Sequence, residues 1–167
     1  LAMSSAQVPA LAAACDLSRA TTIVDVGGGH GMLLEALMAR APRARGVVFD
    51  LPQGLEAARV RGLERNPRID LVAGDFFREV YRGGDLYVLK FILHDWSDAQ
   101  ATKILRNIAH AMVPGGRVLV FEMLVGAPNQ PGPERWLDLQ MMVQVGGRER
   151  TQAEFEALFT AAGLRLT

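Results

Sequence analysis

The stretch LKFILHDWSD, residues 89–98, sets a histidine and an aspartate where an apolar run gives way to a helix start. An imidazolium has a pKa of about 6.5, so a histidine at such a junction can take and release protons at neutral pH. Two readings stand: His94 is a general base at the mouth of a ligand cleft, or His94 and Asp95 form a polar turn. Upstream, VDVGGGHGMLL carries Gly27, Gly28, Gly29 and Gly31. Glycines there permit a tight turn and let a ligand lie against bare backbone. The dinucleotide fingerprint G-x-G-x-x-G fits poorly, because taking Gly27 and Gly29 as its first two glycines leaves Met32 where the third belongs. Asp50 closes the next apolar run, in FDLP. An acid there can accept from both hydroxyls of a ribose, and an exposed turn aspartate is the plainer alternative. GDFF then offers Asp75 and Phe76. That carboxylate could accept from an adenine amino group while the ring packs on the base; the alternative is a turn and a core anchor.

These groups need elements to hold them. Apolar, β-branched runs predict strands at 21–27, 45–52, 84–93 and 118–124, and a strand with its turn at 68–77. Helices are predicted at 2–14, 32–41 and 53–64, after Ser97, over 134–144, and after Thr151. Ser97 with Gln100, and Thr151 with Glu154, have the spacing of capping boxes. Alternating strands and helices predict an α/β fold, a doubly wound Rossmann-like parallel sheet covered on both faces. In such sheets ligands bind beyond the carboxyl ends of the strands. The glycine loop, Asp50, Asp75 and His94 all follow predicted strands, so the fold and the candidate chemistry point to one edge.

Composition narrows the class. The chain has 167 residues, half of them hydrophobic and 22% charged, with a formal net charge of zero. It offers no global basic field for nucleic acid or an anionic membrane, and no apolar run approaches a membrane span. The single cysteine excludes an internal disulfide framework and a multi-cysteine metal site. A reducing cytoplasm is the simplest compartment. The chain does not begin with methionine, and it reads as part of a longer one.

In order and spacing, VDVGGGHG, FDLP, GDFF, LKFILHDWSD, PGGRVLVFE and GGRERTQAEFEALF resemble the S-adenosylmethionine-dependent O-methyltransferases of the plant caffeate and bacterial polyketide or acetylserotonin type. The resemblance implies that residues 21–167 form an S-adenosylmethionine-binding class I methyltransferase domain and that residues 1–20 are a helical lead-in. By the same resemblance Gly27 and Gly29 lie under the cofactor, Asp50 takes the ribose, Asp75 and Phe76 hold the adenine, and Lys90 makes a further cofactor contact. Glu122, in the fifth predicted strand, and Glu149, in GGRERT, match the positions that flank and orient the catalytic His94. No metal is implied. The expected partners are a small phenolic substrate and, in the full-length protein, a second copy through an N-terminal dimerisation domain that precedes this chain. The family's last strands are expected to follow Thr167.

The chemistry so implied explains why the base needs acids. A phenol has a pKa of about 10, so full proton transfer to an ordinary histidine is uphill by about 3.5 units, roughly 5 kcal/mol. A sulfonium nearby favours phenolate, and a carboxylate on the far ring nitrogen favours imidazolium. Asp95 is expected to contact substrate or to hold the turn. Trp136, Asp138 and Met141 lie on the predicted helix at 134–144, either as an adaptable wall for a flat aromatic or as core. Two other activities remain open: hydroxylation or decarboxylation of polyketides in the same cofactor pocket, and, disfavoured by glycine spacing, NAD-dependent dehydrogenation.

Overall fold

A computed structural model describes residues 7–125 and 147–166. The chain divides into two compact units, 1–90 with 111–120, and 91–110 with 121–167.

The first unit opens with a short helix, α1 (Val8–Ala14), and continues through β1 (Thr22–Val26), α2 (Met32–Arg40) and β2 (Arg45–Asp50). Then come α3 (Glu56–Val60), a 3-10 turn (Leu63–Arg65), β3 (Ile69–Ala73), β4 (Leu86–Lys90) and, after the segment belonging to the second unit, β5 (Arg117–Phe121). The strands form one sheet in the order β3-β2-β1-β4-β5. β1 pairs in parallel with β2 and with β4, and β2 pairs in parallel with β3. Strand order therefore reverses between β1 and β4, the place where doubly wound sheets open a crevice.

Burial explains why these segments read as continuous apolar runs. Ile23, Val24 and Val26 of β1 are fully buried, as are Tyr87, Val88 and Leu89 of β4, so both faces of the central strands are covered. Leu34, Leu37 and Met38 of α2 are equally inaccessible. Each such side chain contributes about 1.5–3 kcal/mol of burial. Asp25 is the polar exception inside β1, and it is 2% exposed.

In the second unit a 3-10 turn (Leu93–Asp95) leads into α4 (Asp98–Ala111), and α5 (Gln152–Ala161) lies near the other end of the chain. Both predicted capping boxes form. Ser97 and Gln100 bond reciprocally, and the Thr151 hydroxyl accepts from the Glu154 N–H while Glu154 accepts from the Thr151 N–H. Ala101, Ile104, Leu105 and Ile108 make the buried stripe of α4. Arg106 donates twice to the Ala161 carbonyl, which ties α4 to the last turn of α5.

Three predicted boundaries move. The helix predicted at 53–64 is five residues long, because Gly62 turns left-handed at φ 69° and sends the chain into the 3-10 turn. β4 stops at Lys90 rather than at 93: Phe91 takes a φ of 56°, and the next two N–H groups leave the sheet for a carboxylate. β5 ends at Phe121, so Glu122 stands just past the strand and not within it. The helix predicted at 134–144, with Trp136, Asp138 and Met141, lies outside the described residues. No helix among the described residues is long and apolar enough to cross a membrane.

Candidate active site

Within the first unit the strand ends gather the predicted ligand-binding residues. Register pairs Val26 with Phe49 and Asp50 with Ala73, so the glycine loop, Asp50 and the GDFF turn leave neighbouring strands at the same edge. Backbone bonds fix them there: the Gly27 N–H donates to the Phe49 carbonyl at 2.8 Å, and the Gly74 N–H to the Asp50 carbonyl at 2.9 Å. Asp50 accepts from the Gly29 N–H at 2.9 Å through Oδ2 and from the Leu51 N–H at 2.7 Å through Oδ1. An ionised carboxylate offers about four acceptor sites, so Asp50 retains capacity for two hydroxyls. Asp75 Oδ1 accepts from the Phe77 N–H at 2.8 Å, which sets the turn, and the Phe76 ring meets the Phe77 ring edge-on at 5.0 Å.

Beneath the loop lies a residue that sequence reading passed over. Asp25 accepts from the Leu34 backbone N–H in the first turn of α2, while its Oδ2 is buried with no partner among the described residues. Gly28 passes so close above it that a Cβ at that position would stand 2.7 Å from the Asp25 carboxyl. Burial, then the negative charge of Asp50, pushes the Asp25 carboxyl up to about 7, against the pull of the Leu34 N–H and of Lys90. Lys90, at the end of β4, is moved the other way, its ammonium lowered by burial and partly restored by Asp25.

In the second unit His94 comes together with the acids expected to flank it. The His94 Nδ1–H donates to Glu122 Oε2 at 2.7 Å. Glu122 Oε1 accepts from the Ile92 and Leu93 N–H groups at 3.0 and 2.7 Å. The Glu122 side chain is only 3% exposed, a position a carboxylate tolerates when both oxygens are bonded. Asp95 Oδ1 stands 3.3 Å from His94 Nε2. Glu149, also buried, joins the same cluster: His94, Glu122 and Glu149 each offer an atom within 4.8 Å of the others. Atoms so placed could also gather a divalent cation. Burial draws the His94 imidazolium down, but the Glu122 hydrogen bond and charge, then the charges of Asp95 and Glu149, outweigh it and hold the ring above its ordinary 6.5. Burial holds the Asp95 carboxyl above the usual carboxylate value, with His94 opposing and Glu122 adding to the rise.

Two further residues build this arrangement. Arg150 is fully buried and donates to the Leu93 carbonyl at 2.8 Å, to the Trp96 carbonyl at 2.6 Å and to Asp98 at 2.9 Å. Its guanidinium thereby clamps both ends of the turn that carries His94. Gly147 lies against the same turn, where a Cβ would come within 1.8 Å of the His94 carbonyl oxygen. Both belong to GGRERT; charge-rich and next to a helix cap, the motif reads as surface, which hides Arg150.

A parallel sheet of this order, with a glycine turn after its first strand and acids after the next two, defines the class of α/β proteins that bind nucleoside cofactors at strand ends. Within that class the chain belongs to the O-methyltransferase domain family, whose model matches residues 3–165. It is 43% identical over 155 residues to the phenazine O-methyltransferase PhzM of Lysobacter antibioticus, covering 92% of this chain and 46% of that protein. Human N-acetylserotonin methyltransferase, solved in complex with SAM, superposes with a TM-score of 0.86 at 34% identity, over 94% of this chain and 46% of that one. The O-methyltransferase NcsB1 from neocarzinostatin biosynthesis, solved with S-adenosylmethionine and 2-hydroxy-5-methyl naphthoic acid, gives 0.84 at 40% identity, over 94% and 47%. The chain thus spans about half the length of the relatives it matches.

Proposed function

We propose that this chain is the catalytic part of an enzyme that transfers a methyl group from S-adenosylmethionine to a phenolic hydroxyl of a small aromatic acceptor, with His94 as general base. The carrying observation is the 2.7 Å bond from the His94 ring to a buried glutamate, in a chain of the O-methyltransferase family. The residues of the first unit fit an adenosyl cofactor. Gly28 leaves no room for a Cβ, Asp25 holds an orphaned oxygen beneath it, and Asp50 keeps unused acceptor sites. Once bound, S-adenosylmethionine supplies a methyl group activated by a sulfonium.

The rest falls to the chain. Gly27 and Gly29 present backbone to the cofactor, Asp50 accepts from the ribose hydroxyls, Asp75 accepts from the adenine amino group, Phe76 packs on the base, and Lys90 makes a further contact. Because Nδ1 carries the proton given to Glu122, Nε2 is the free base that takes the acceptor's proton as its oxygen attacks. Glu122 fixes that tautomer, and with Glu149 it stabilises the imidazolium that forms. Asp95, beside Nε2, steadies the same charge or meets the acceptor. Trp136, Asp138 and Met141 are proposed to face the acceptor, and no metal takes part.

In the longer protein containing this chain, His94→Ala should reduce turnover by about 10²–10⁴-fold while leaving the affinity for S-adenosylhomocysteine unchanged. Turnover at the wild-type rate would remove the base. Mass spectrometry identifies the reaction: the product should gain one CH2, and a gain of one oxygen would overturn the methyl-transfer reading. The longer protein is further proposed to form a homodimer; a monomeric mass by light scattering at micromolar concentration would refute this.

A further inference from the structure

Among the described residues of the first unit, Asp25 is the one buried acid that the proposed chemistry leaves without a task. Of the buried polar residues in the described chain, Glu149 and Arg150 belong to the His94 arrangement. Asp25 instead sits in the middle of an apolar strand, where an aspartate is expensive unless something compensates it. The compensation in the structure is partial. One oxygen takes the Leu34 N–H at the start of α2, and the other is buried beneath the glycine loop with no hydrogen-bond partner among the described residues. The loop has been shaped around it, since Gly28 leaves no space for even one added carbon there. A buried carboxyl whose second oxygen lacks a donor is most comfortable protonated, and a positive charge arriving nearby would reverse that preference.

We propose that Asp25 is a charge-sensing positioning residue of the cofactor site, which gives up its proton to solvent when a cationic cofactor binds over the glycine loop and so favours the sulfonium cofactor over its uncharged thioether product. The inference rests on the reading that the cofactor is S-adenosylmethionine. The two molecules carry the same amino-acid end and differ by one methyl group and one positive charge at sulfur. Comparing them therefore isolates that charge from everything else they share.

Besides burial, three groups on neighbouring elements bear on the charge of Asp25. They are the Leu34 N–H of α2, Asp50 at the end of β2 and Lys90 at the end of β4. Asp50 disfavours the Asp25 carboxylate and Lys90 favours it, and with burial dominant the carboxyl stands at about 7. The direction of the linkage follows. Below that value binding a cation must expel a proton, so affinity for the sulfonium rises with pH; above it the carboxylate is already formed and the gain levels off. The thioether exerts less pull, and its affinity changes less over the same interval.

The test is isothermal titration calorimetry of the longer protein containing this chain with S-adenosylmethionine and with S-adenosylhomocysteine, between pH 5.5 and 8.5, in buffers of contrasting ionisation enthalpy. The preference for the sulfonium should grow by roughly tenfold across that range, the effect of a one-unit shift, with more protons released on its binding than on the thioether's. Asp25→Asn should flatten the preference. Carbon-13 NMR of the Asp25 carboxyl in the wild-type protein supplies a readout that does not depend on that variant folding. Its midpoint should lie near 7 without ligand and fall further with the sulfonium than with the thioether. Binding of both ligands with a preference independent of pH, or a carboxyl midpoint that does not respond, would overturn the inference alone. Failure of both ligands to bind at any pH would overturn the cofactor assignment and the inference with it.

Discussion

Both oxygens of Glu122 are committed, one to two backbone N–H groups and the other to the His94 ring. That double duty makes the glutamate part of the turn as well as partner of the His94 ring. The ring's pKa is held above 6.5, so the His94–Glu122 pair stabilises the fold fully below that value and loses its contribution as pH rises through the higher folded-state pKa. Glu122→Gln should therefore lower the melting temperature more at pH 6 than at pH 9, and equal losses would show that charge is not involved. In the longer protein the same change should move the acidic limb of the kcat/KM profile to lower pH, because the ring loses the carboxylate that raises it. An unmoved limb would assign the limb to another group. Of these residues, His94 and both glutamates are legible in the sequence by their types and by family resemblance. Asp25 is not, because an acid inside TIVDV gives no sign of where its side chain points, and the donor it takes comes from a helix that starts seven residues later.

At the scale of elements, the sequence is informative where burial is uniform. TIVDV, RGVVFD and LYVLK read as strands because the sheet is covered on both faces, and the capping boxes at Ser97 and Thr151 mark helix starts through purely local bonds. It is silent where a distant group decides. FIL looks like more strand, yet β4 ends before it because Glu122, far along the chain, captures the N–H groups of Ile92 and Leu93. Arg150 does the complementary work on carbonyls, holding Leu93 and Trp96 from a fully buried position. Arg150→Met should cost about 3 kcal/mol, the scale of a buried charge network that loses one member. If the clamp serves the base, kcat should fall in the longer protein while KM for the acceptor and cofactor affinity stay near wild type. A loss shared evenly among all three would mean that Arg150 only supports the fold.

At the scale of the molecule, composition excludes more than it identifies. A net charge of zero and a lone cysteine remove the broad nucleic-acid and disulfide classes, but they say nothing of the small molecule proposed as acceptor. The three-residue cluster around His94 poses a sharper question, since its geometry would also suit a metal. The proton transfer proposed for His94 needs none, so prolonged dialysis of the longer protein against a strong chelator should leave turnover unaltered, and a loss restored by one divalent cation would contradict that. The crowding of Gly147 on the His94 carbonyl carries a practical lesson for anyone who recombines such enzymes. A hybrid spliced anywhere between Trp96 and Gly147 inherits its imidazole from one parent and the bare spot that accommodates it from the other. Unless the parent that supplies position 147 leaves that spot empty, the graft will push the ring out of place before any new acceptor specificity can be assayed.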